Sequence, residues 1–254
     1  MNVDMYGSTS TAYDMGARFN EWFSQHFGFE VILAYWGHNT RPVLGNLPKQ
    51  PINQGPRPKS LLTNILNYVP ILGSVLRAGD AEEVIAFNDC APYLIITSAS
   101  AQNVSSRLSE GEEMDITKFR ANIILHGSPA AFDEDFWAEL NINGSEGSAN
   151  TQAKNGTKII LTSNCLRCES LNVDYETGKF GEGKAGEVLK LLSRDRRVDM
   201  GIKYSPVFGR YGFLGRGGEG CVLRVGDGVS VGRRNEVRTK FCEFLGVFVW
   251  FGGG

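Results

Sequence analysis

Runs and spacings of apolar side chains predict many short strands and a few helices along this chain. Between residues 15 and 28, apolar side chains recur every three to four positions, from Met15 through Phe19 and Trp22, and Gly28 is a suitable helix end. Apolar runs bounded by turn residues predict strands at 29–36 (a buried strand), 83–87, 93–98, 121–127, 157–163, 210–215, 220–227 and 228–234. Short helices are predicted over 60–72, 100–108 and 186–195, and an extended or mixed segment over 133–142. This pattern predicts an α+β fold, mainly β, with a barrel-like core.

Composition adds limits on the class of protein. The chain has 254 residues, 42% of them hydrophobic, and a formal net charge of −2, which allows one large domain or two small ones and gives no sign of nucleic-acid binding. The apolar run 244–251 is too short to span a membrane. An acidic N-terminus without an apolar run predicts no signal peptide. Five cysteines then suggest an intracellular, reducing location, cytoplasmic or at the mitochondrial surface, with free thiols.

Polar stretches interrupt the apolar pattern at two places. Residues 41–58 are rich in Pro, Gly and Asn and are expected to form a loop or linker, and residues 144–156 are expected to form a polar loop.

The most informative local feature is a C-x-x-C pair, Cys165 and Cys168, at the end of the predicted strand 157–163. A structural zinc site needs four ligands, and no second pair of this kind is present. A redox dithiol favours a helix N-terminus, whereas β-forming residues and a turn follow here. Two buried thiols packing as small hydrophobic groups remain a third interpretation.

Several motifs around this pair occur together in one order. They are FNDCAPYLIITSAS at 87–100, KFRANIIL at 118–125, CLRCESLNVDYETG at 165–178, YSPVFGRYGFL at 204–214 and LRVGD at 223–227, with RPVLGNLP at 41–48 before them. This ordered set resembles the MOSC family, the domain named after the C-terminus of the molybdenum-cofactor sulfurase, and in particular its amidoxime-reducing members.

The resemblance implies a MOSC-type β-barrel core with a few peripheral helices. It also implies a division of the chain into a remnant of the family's N-terminal β-rich domain with the Pro/Gly-rich loop (1–58), a MOSC domain (59–240) and an atypical apolar tail (241–254).

In this family the second cysteine of C-x-R-C ligates molybdenum, which implies Cys168 as the metal ligand and Cys165 as a packing residue. A thiolate is a soft ligand suited to such a metal. Asp89 occupies a family position near the metal and is expected to orient water or deliver protons. Without the resemblance, Asp89 would be read as an ordinary turn residue.

Four further positions are implied to bind the cofactor. Arg120 is expected to pair with its phosphate or pterin carbonyls, and Asn122 with the pterin amide edge. Arg167 is expected to add positive charge that favours the Cys168 thiolate, and Tyr211 to face the cofactor. The plainer interpretations are a surface salt bridge for Arg120 and a core aromatic with a bonded hydroxyl for Tyr211.

The resemblance therefore implies the molybdenum cofactor (molybdenum on molybdopterin) and a two-electron reduction of small N-hydroxylated compounds. Electrons would come from a separate donor of the cytochrome b5 type. The alternatives are a non-catalytic cofactor carrier and a sulfur carrier with a persulfide on Cys168. Pyridoxal phosphate is associated with sulfurases that carry this domain, but no lysine here has a recognisable Schiff-base context, so it is not expected to take part in catalysis.

Overall fold

Residues 1–43, 84–143, 156–216, 218 and 220–241 are described by a computed structural model of the chain. The described residues separate into an N-terminal unit, 1–43 with 84–87, and a C-terminal unit from residue 88 onward. The predicted helix 60–72, the apolar tail and most of the two predicted polar loops lie outside the described residues. Within these ranges no helix is both long and apolar enough to cross a membrane.

In its described residues, the N-terminal unit contains short antiparallel strand pairs and one helix. β1 (Asn2–Met5) pairs with β2 (Ser8–Thr11), β3 (Tyr13–Asp14) with β4 (Ala34–Tyr35), and β5 (Arg41–Pro42) with β6 (Val84–Ile85). The helix predicted over 15–28 is confirmed as α1 (Ala17–Phe27), which ends at Gly28 in the left-handed conformation with φ 76°.

The prediction of a buried strand over 29–36 is wrong in extent. Only β4 is formed there, and Phe29 and Ile32 are exposed. Side chains of α1 take the place of a neighbouring strand, because Ser24 accepts a hydrogen bond from the amide of Val31 and Asn20 accepts one from the amide of Leu33. The backbone groups of this segment are thus satisfied without a strand ladder.

A six-stranded sheet in the order β12-β9-β10-β11-β7-β8 forms the C-terminal unit, and only the β7–β8 pair is parallel. The strands are β7 (Tyr93–Thr97), β8 (Ile123–Leu125), β9 (Trp137–Asn143), β10 (Thr157–Leu166), β11 (Val207–Leu214) and β12 (Gly228–Arg234). Two α-helices accompany them, α2 (Ser98–Ser105) and α3 (Val188–Ser193), with 3₁₀ turns at Ile116–Phe119, Asp133–Phe136, Glu169–Asn172 and Gly183–Glu187. The predicted fold class, α+β and mainly β, is confirmed, although the sheet is a half-barrel rather than a closed barrel.

Most predicted strands of this unit are confirmed, but the one over 220–227 is wrong. A tight turn replaces it, because the amide of Arg224 donates to the Asp227 carboxylate at 2.7 Å and the amide of Asp227 donates back to the Arg224 carbonyl at 3.2 Å. The predicted helix 100–108 begins two residues earlier than expected, since Thr97 caps it by accepting from the amide of Ser100.

Two apolar clusters lie on this sheet. One joins Ile96 and Phe208 to α2 and α3, and the other is built on Ile95 and strands β9 and β10. A regular strand would place residues 208 and 210 on the same face, yet Arg210 pairs with Ile95. Gly209 interrupts the pleat with φ 88°, and a Cβ atom there would meet the Ile96 side chain at 2.8 Å. This interruption places Tyr211 opposite Leu94, where the candidate site is built.

Two adjacent acidic residues in the 3₁₀ turn Asp133–Phe136, just before β9, have buried side chains with different partners. Asp135 accepts two hydrogen bonds from Arg196, at 2.8 and 3.0 Å, and one from Arg238 at 2.8 Å. Glu134 accepts a hydrogen bond from the hydroxyl of Thr97 at 3.1 Å, and its Oε1 is buried with no partner within the described residues. Burial, with a smaller contribution from the charge of Asp135, raises the pKa of the Glu134 carboxyl above its ordinary value of 4.5.

Glu134 is therefore expected to make the protein less stable as the pH rises. Its pKa is higher in the folded than in the unfolded state, so its contribution is fully present below the unfolded pKa and is lost as pH passes through the folded pKa. Urea unfolding from about pH 5 to about pH 8 should show wild type losing stability relative to Glu134→Gln. The exposed Glu110→Gln is the control, and parallel stability curves for wild type and Glu134→Gln would contradict this assignment.

Candidate functional site

A tyrosine–carboxylate pair lies where β11 meets the loop before β7. Tyr211 lies opposite Leu94 of β7 and Ser163 of β10, is only 5% exposed, and donates its hydroxyl to the carboxylate of the exposed Asp89. Burial, together with the nearby Cys165 and Asp89, raises the pKa of the Tyr211 hydroxyl well above its ordinary value. The phenol therefore keeps its proton and acts as a fixed donor to Asp89.

Cys165 is the buried member of the C-x-x-C pair. Its sulfur accepts a hydrogen bond from Nη1 of Arg167 at 3.0 Å and donates one to the carbonyl of Leu166 at 3.8 Å, and Tyr211 lies nearby. Burial raises the pKa of the Cys165 thiol, and the Arg167 guanidinium only partly opposes that shift. Simple packing was expected at this position, and the spacing of the two cysteines gives no signal of these polar contacts.

Arg167 connects the end of β10 to the 3₁₀ turn Ile116–Phe119. Its Nη2 donates to the carbonyl of Lys118 at 3.3 Å and to that of Phe119 at 3.0 Å. The guanidinium carbon lies 5.6 Å from the Phe119 ring centre, a cation–π contact. Its Nε is buried with no partner within the described residues. The charge expected to act on Cys168 is thus hydrogen-bonded to the sulfur of Cys165.

Arg120 follows directly after this turn and has an unusual backbone conformation. Its φ of 56° lies in the left-handed region, which a residue with a Cβ rarely adopts. The side chain is exposed, and it forms no hydrogen bond or ion pair in the part of the chain that the structure describes. The alternative of a surface salt bridge is therefore not seen there, and a strained backbone presents an available guanidinium.

Cys168 is the exposed member of the pair. It lies just after β10, with extended backbone angles (φ −121°, ψ −177°), at the start of the 3₁₀ turn Glu169–Asn172. Its sulfur is 3.2 Å from the hydroxyl of Ser170, a residue that the sequence analysis did not single out. The thiol is accessible to a ligand, unlike that of Cys165.

A redox disulfide and a structural zinc site are two other interpretations of the cysteine pair. The thiols of Cys165 and Cys168 are both free, one buried and one exposed, and are not joined in a disulfide. Among the residues with described positions, no group of three His, Cys, Asp or Glu side chains is arranged to hold a metal ion.

Asn122 lies next to the candidate site because it is hydrogen-bonded to the backbone of Leu94 in β7. Its side-chain oxygen Oδ1 accepts a hydrogen bond from the backbone N–H of Leu94 at 2.8 Å. Its backbone N–H donates to the backbone carbonyl of Leu94 at 2.9 Å. Leu94 is the residue opposite Tyr211. The Asn122 oxygen is thus committed to the fold, and its side-chain NH₂ is the group left for a ligand.

The predicted site residues fall into one connected region and its immediate neighbours. Tyr211 is hydrogen-bonded to Asp89, and the nearby Cys165 sulfur is hydrogen-bonded to Arg167. Cys168 is adjacent to Arg167 in the chain, and Arg120 is adjacent to Phe119, whose carbonyl Arg167 binds. An exposed thiol, two guanidinium groups and a hydrogen-bonded carboxylate are thus available near one another, a set suited to a soft metal carried by an anionic ligand.

Comparison with known proteins identifies the family of the chain. Residues 82–230 match the MOSC domain family, more than half of the chain. The chain is 33% identical to mitochondrial amidoxime reducing component 2 of Bos taurus over 151 residues, which cover 59% of this chain and 40% of that protein. It is 32% identical to mitochondrial amidoxime-reducing component 1 of Homo sapiens over 152 residues, 58% of this chain and 39% of that protein. The matches thus span about 40% of these relatives' length. The chain belongs to the MOSC domain family.

Proposed function

We propose that this chain binds the molybdenum cofactor and reduces small N-hydroxylated compounds. Membership of the MOSC domain family and the names of its relatives, mitochondrial amidoxime-reducing components, support this function. The observation that carries it is the exposed thiol of Cys168 next to Arg167, in a chain whose other site cysteine, Cys165, is buried.

The residues present fit such a cofactor. The Cys168 sulfur would be the protein ligand of molybdenum, since thiolates are soft donors. Arg120 would pair with the anionic phosphate, because its exposed guanidinium has no partner in the described ranges. The buried Nε of Arg167, also without a described partner, and the NH₂ of Asn122 would bind polar edges of the pterin. When bound, the cofactor supplies a two-electron redox centre at which an N-hydroxyl group loses its oxygen.

Protons are the part of this reaction that the chain itself can supply. Conversion of an N–OH group to N–H and water consumes two electrons and two protons. The exposed carboxylate of Asp89 is held by the hydroxyl of Tyr211, so it has a fixed orientation and access to solvent. Asp89 would pass protons from solvent to the departing oxygen, while Tyr211 positions it.

Electrons are proposed to come from a separate protein, a one-electron donor of the cytochrome b5 type. The substrate is a small molecule with an N-hydroxyl group. Pyridoxal phosphate has no place in this proposal.

Turnover by the cofactor-loaded protein tests the function. An N-hydroxylated amidine is added anaerobically to protein supplied with reduced methyl viologen, and oxidation of the dye is followed. Wild type should turn over, and Asp89→Asn should be slower by about 10²-fold or more with its molybdenum content unchanged. Exposed Asp4→Asn, in the N-terminal unit, is the control for loss of one surface carboxylate.

Other outcomes identify the two alternative functions. If metal-loaded wild-type protein never oxidised the dye, the proposed reductase function would be refuted and a cofactor carrier would be favoured. Metal-free protein with cyanide-releasable sulfur on Cys168 would instead favour a sulfur carrier.

A further inference from the structure

We propose that Cys165 is a positioning residue for this site, and that its sulfur holds Arg167 in the place where it meets the cofactor. The inference deepens the proposed function and rests on it for the identity of the ligand. The contacts that Cys165 makes are independent of that identity.

Burial separates the two cysteines into different roles. Cys165 is 2% exposed, so neither a metal nor a substrate reaches its sulfur. Cys168 is exposed and can bind a ligand directly. Any effect of Cys165 on a bound group must therefore pass through the side chains that its sulfur contacts.

Arg167 depends on this sulfur for one of its few acceptors. Nη1 donates to the Cys165 sulfur at 3.0 Å, Nη2 donates to the carbonyls of Lys118 and Phe119, and buried Nε has no partner in the described part of the chain. Removal of the sulfur would leave the guanidinium held on one side only. A guanidinium held on both sides presents Nε in one direction, which is what recognition of a fixed ligand requires.

The thiol of Cys165 has a partner of its own on the other side. It donates to the carbonyl of Leu166 at 3.8 Å, and burial raises its pKa, so the proton needed for that bond stays in place. Tyr211, which donates its hydroxyl to Asp89, lies nearby. The sulfur is therefore an acceptor for Arg167 that is itself held at the end of β10.

Three substitutions separate this role from simple packing. Cys165→Ser keeps a donor and an acceptor, Cys165→Ala removes both, and Cys165→Val removes both while filling the space. Cys221→Ala is the control for loss of a partly buried cysteine outside the site. If Cys165 only packed, Val would resemble wild type and Ser would not.

The first measurement uses protein without cofactor, labelled at arginine with ¹³C and ¹⁵N. The exchange rate between Nη1 and Nη2 of Arg167, assigned with Arg167→Lys, reports how firmly the guanidinium is held. We expect Cys165→Ala and Cys165→Val to raise this rate about tenfold or more, and Cys165→Ser and Cys221→Ala to stay close to wild type. Unchanged exchange in Ala and Val, or failure of Ser to restore the wild-type rate, would overturn the proposal.

The second measurement follows molybdenum that remains with the protein after repeated desalting. Loss of supporting contacts around a metal site commonly weakens binding about 10–100-fold, so Ala and Val should lose metal faster by that factor and Ser should not. Equal retention in all variants would overturn the role at the site even if the guanidinium were released. Absence of metal from wild type would instead refute the proposed function, and the exchange measurement would still decide whether Cys165 holds Arg167.

Discussion

Replacing Asp135 with alanine is expected to lower the free energy of unfolding by about 3–5 kcal/mol. Asp135 is 1% exposed, and Arg196 is 3% exposed. The Asp135 carboxylate accepts hydrogen bonds from both terminal nitrogens of Arg196 and from Nε of Arg238. Its removal leaves a buried guanidinium without its counter-charge, which is the costly way to break such a pair. It also breaks the hydrogen bond from Arg238, which is one of the bonds that hold residues 235–241 against the sheet. Urea unfolding followed by tryptophan fluorescence measures the loss.

An exposed pair of similar chemistry provides the control. Arg107 binds Asp195 through both terminal nitrogens, at 2.6 and 2.9 Å, but the Asp195 side chain is 57% exposed. Asp195→Ala should therefore cost about 1 kcal/mol or less. If Asp135→Ala and Asp195→Ala lowered the free energy of unfolding equally, burial would not make the Asp135–Arg196 pair more important for stability than an exposed pair. Should Asp135→Ala prove insoluble, Asp135→Asn keeps the shape and should show a smaller loss in the same direction.

The strand-rich fold could be predicted from the sequence because its buried strands are uninterrupted apolar runs. β7, β10 and β11 lie where such runs were found, whereas β12 is an exposed strand whose sequence alternates Gly, Val and Ser before two arginines. The pattern failed where side chains bind the backbone of a neighbouring segment. Asn20 and Ser24 replace a strand partner for residues 31–33, and Asp227 closes a turn at residue 224. Apolar spacing contains no information about such bonds.

The domain boundary predicted at residue 58 stays a prediction, since residues 44–83 are outside the described ranges. The same holds for the apolar tail beyond residue 241.

The candidate site shows a similar division. The order of motifs was enough to select Asp89, Cys168 and Tyr211, whose roles remain proposals. Contacts between distant residues could not be read from it, such as the bond that joins positions 89 and 211 across 122 residues of sequence. The hydrogen bond between Cys165 and Arg167 was also missed, because it depends on where the Arg167 side chain folds back.

Cys168→Ala is expected to abolish retention of molybdenum while the fold is preserved. The side chain is exposed, and within the described residues its polar contact is with Ser170, so its loss should change stability by about 0.5 kcal/mol or less. A methyl group offers the metal no donor, whereas the thiolate does. Cys221→Ala removes a cysteine outside the site and should behave as wild type.

The most direct test of the account is therefore molybdenum and pterin per chain, measured side by side for wild type, Cys168→Ala and Cys221→Ala expressed in a host that makes the cofactor. The account predicts stoichiometric metal in wild type and Cys221→Ala and background metal in a folded Cys168→Ala. Equal metal in all three proteins, or none in wild type, would contradict it.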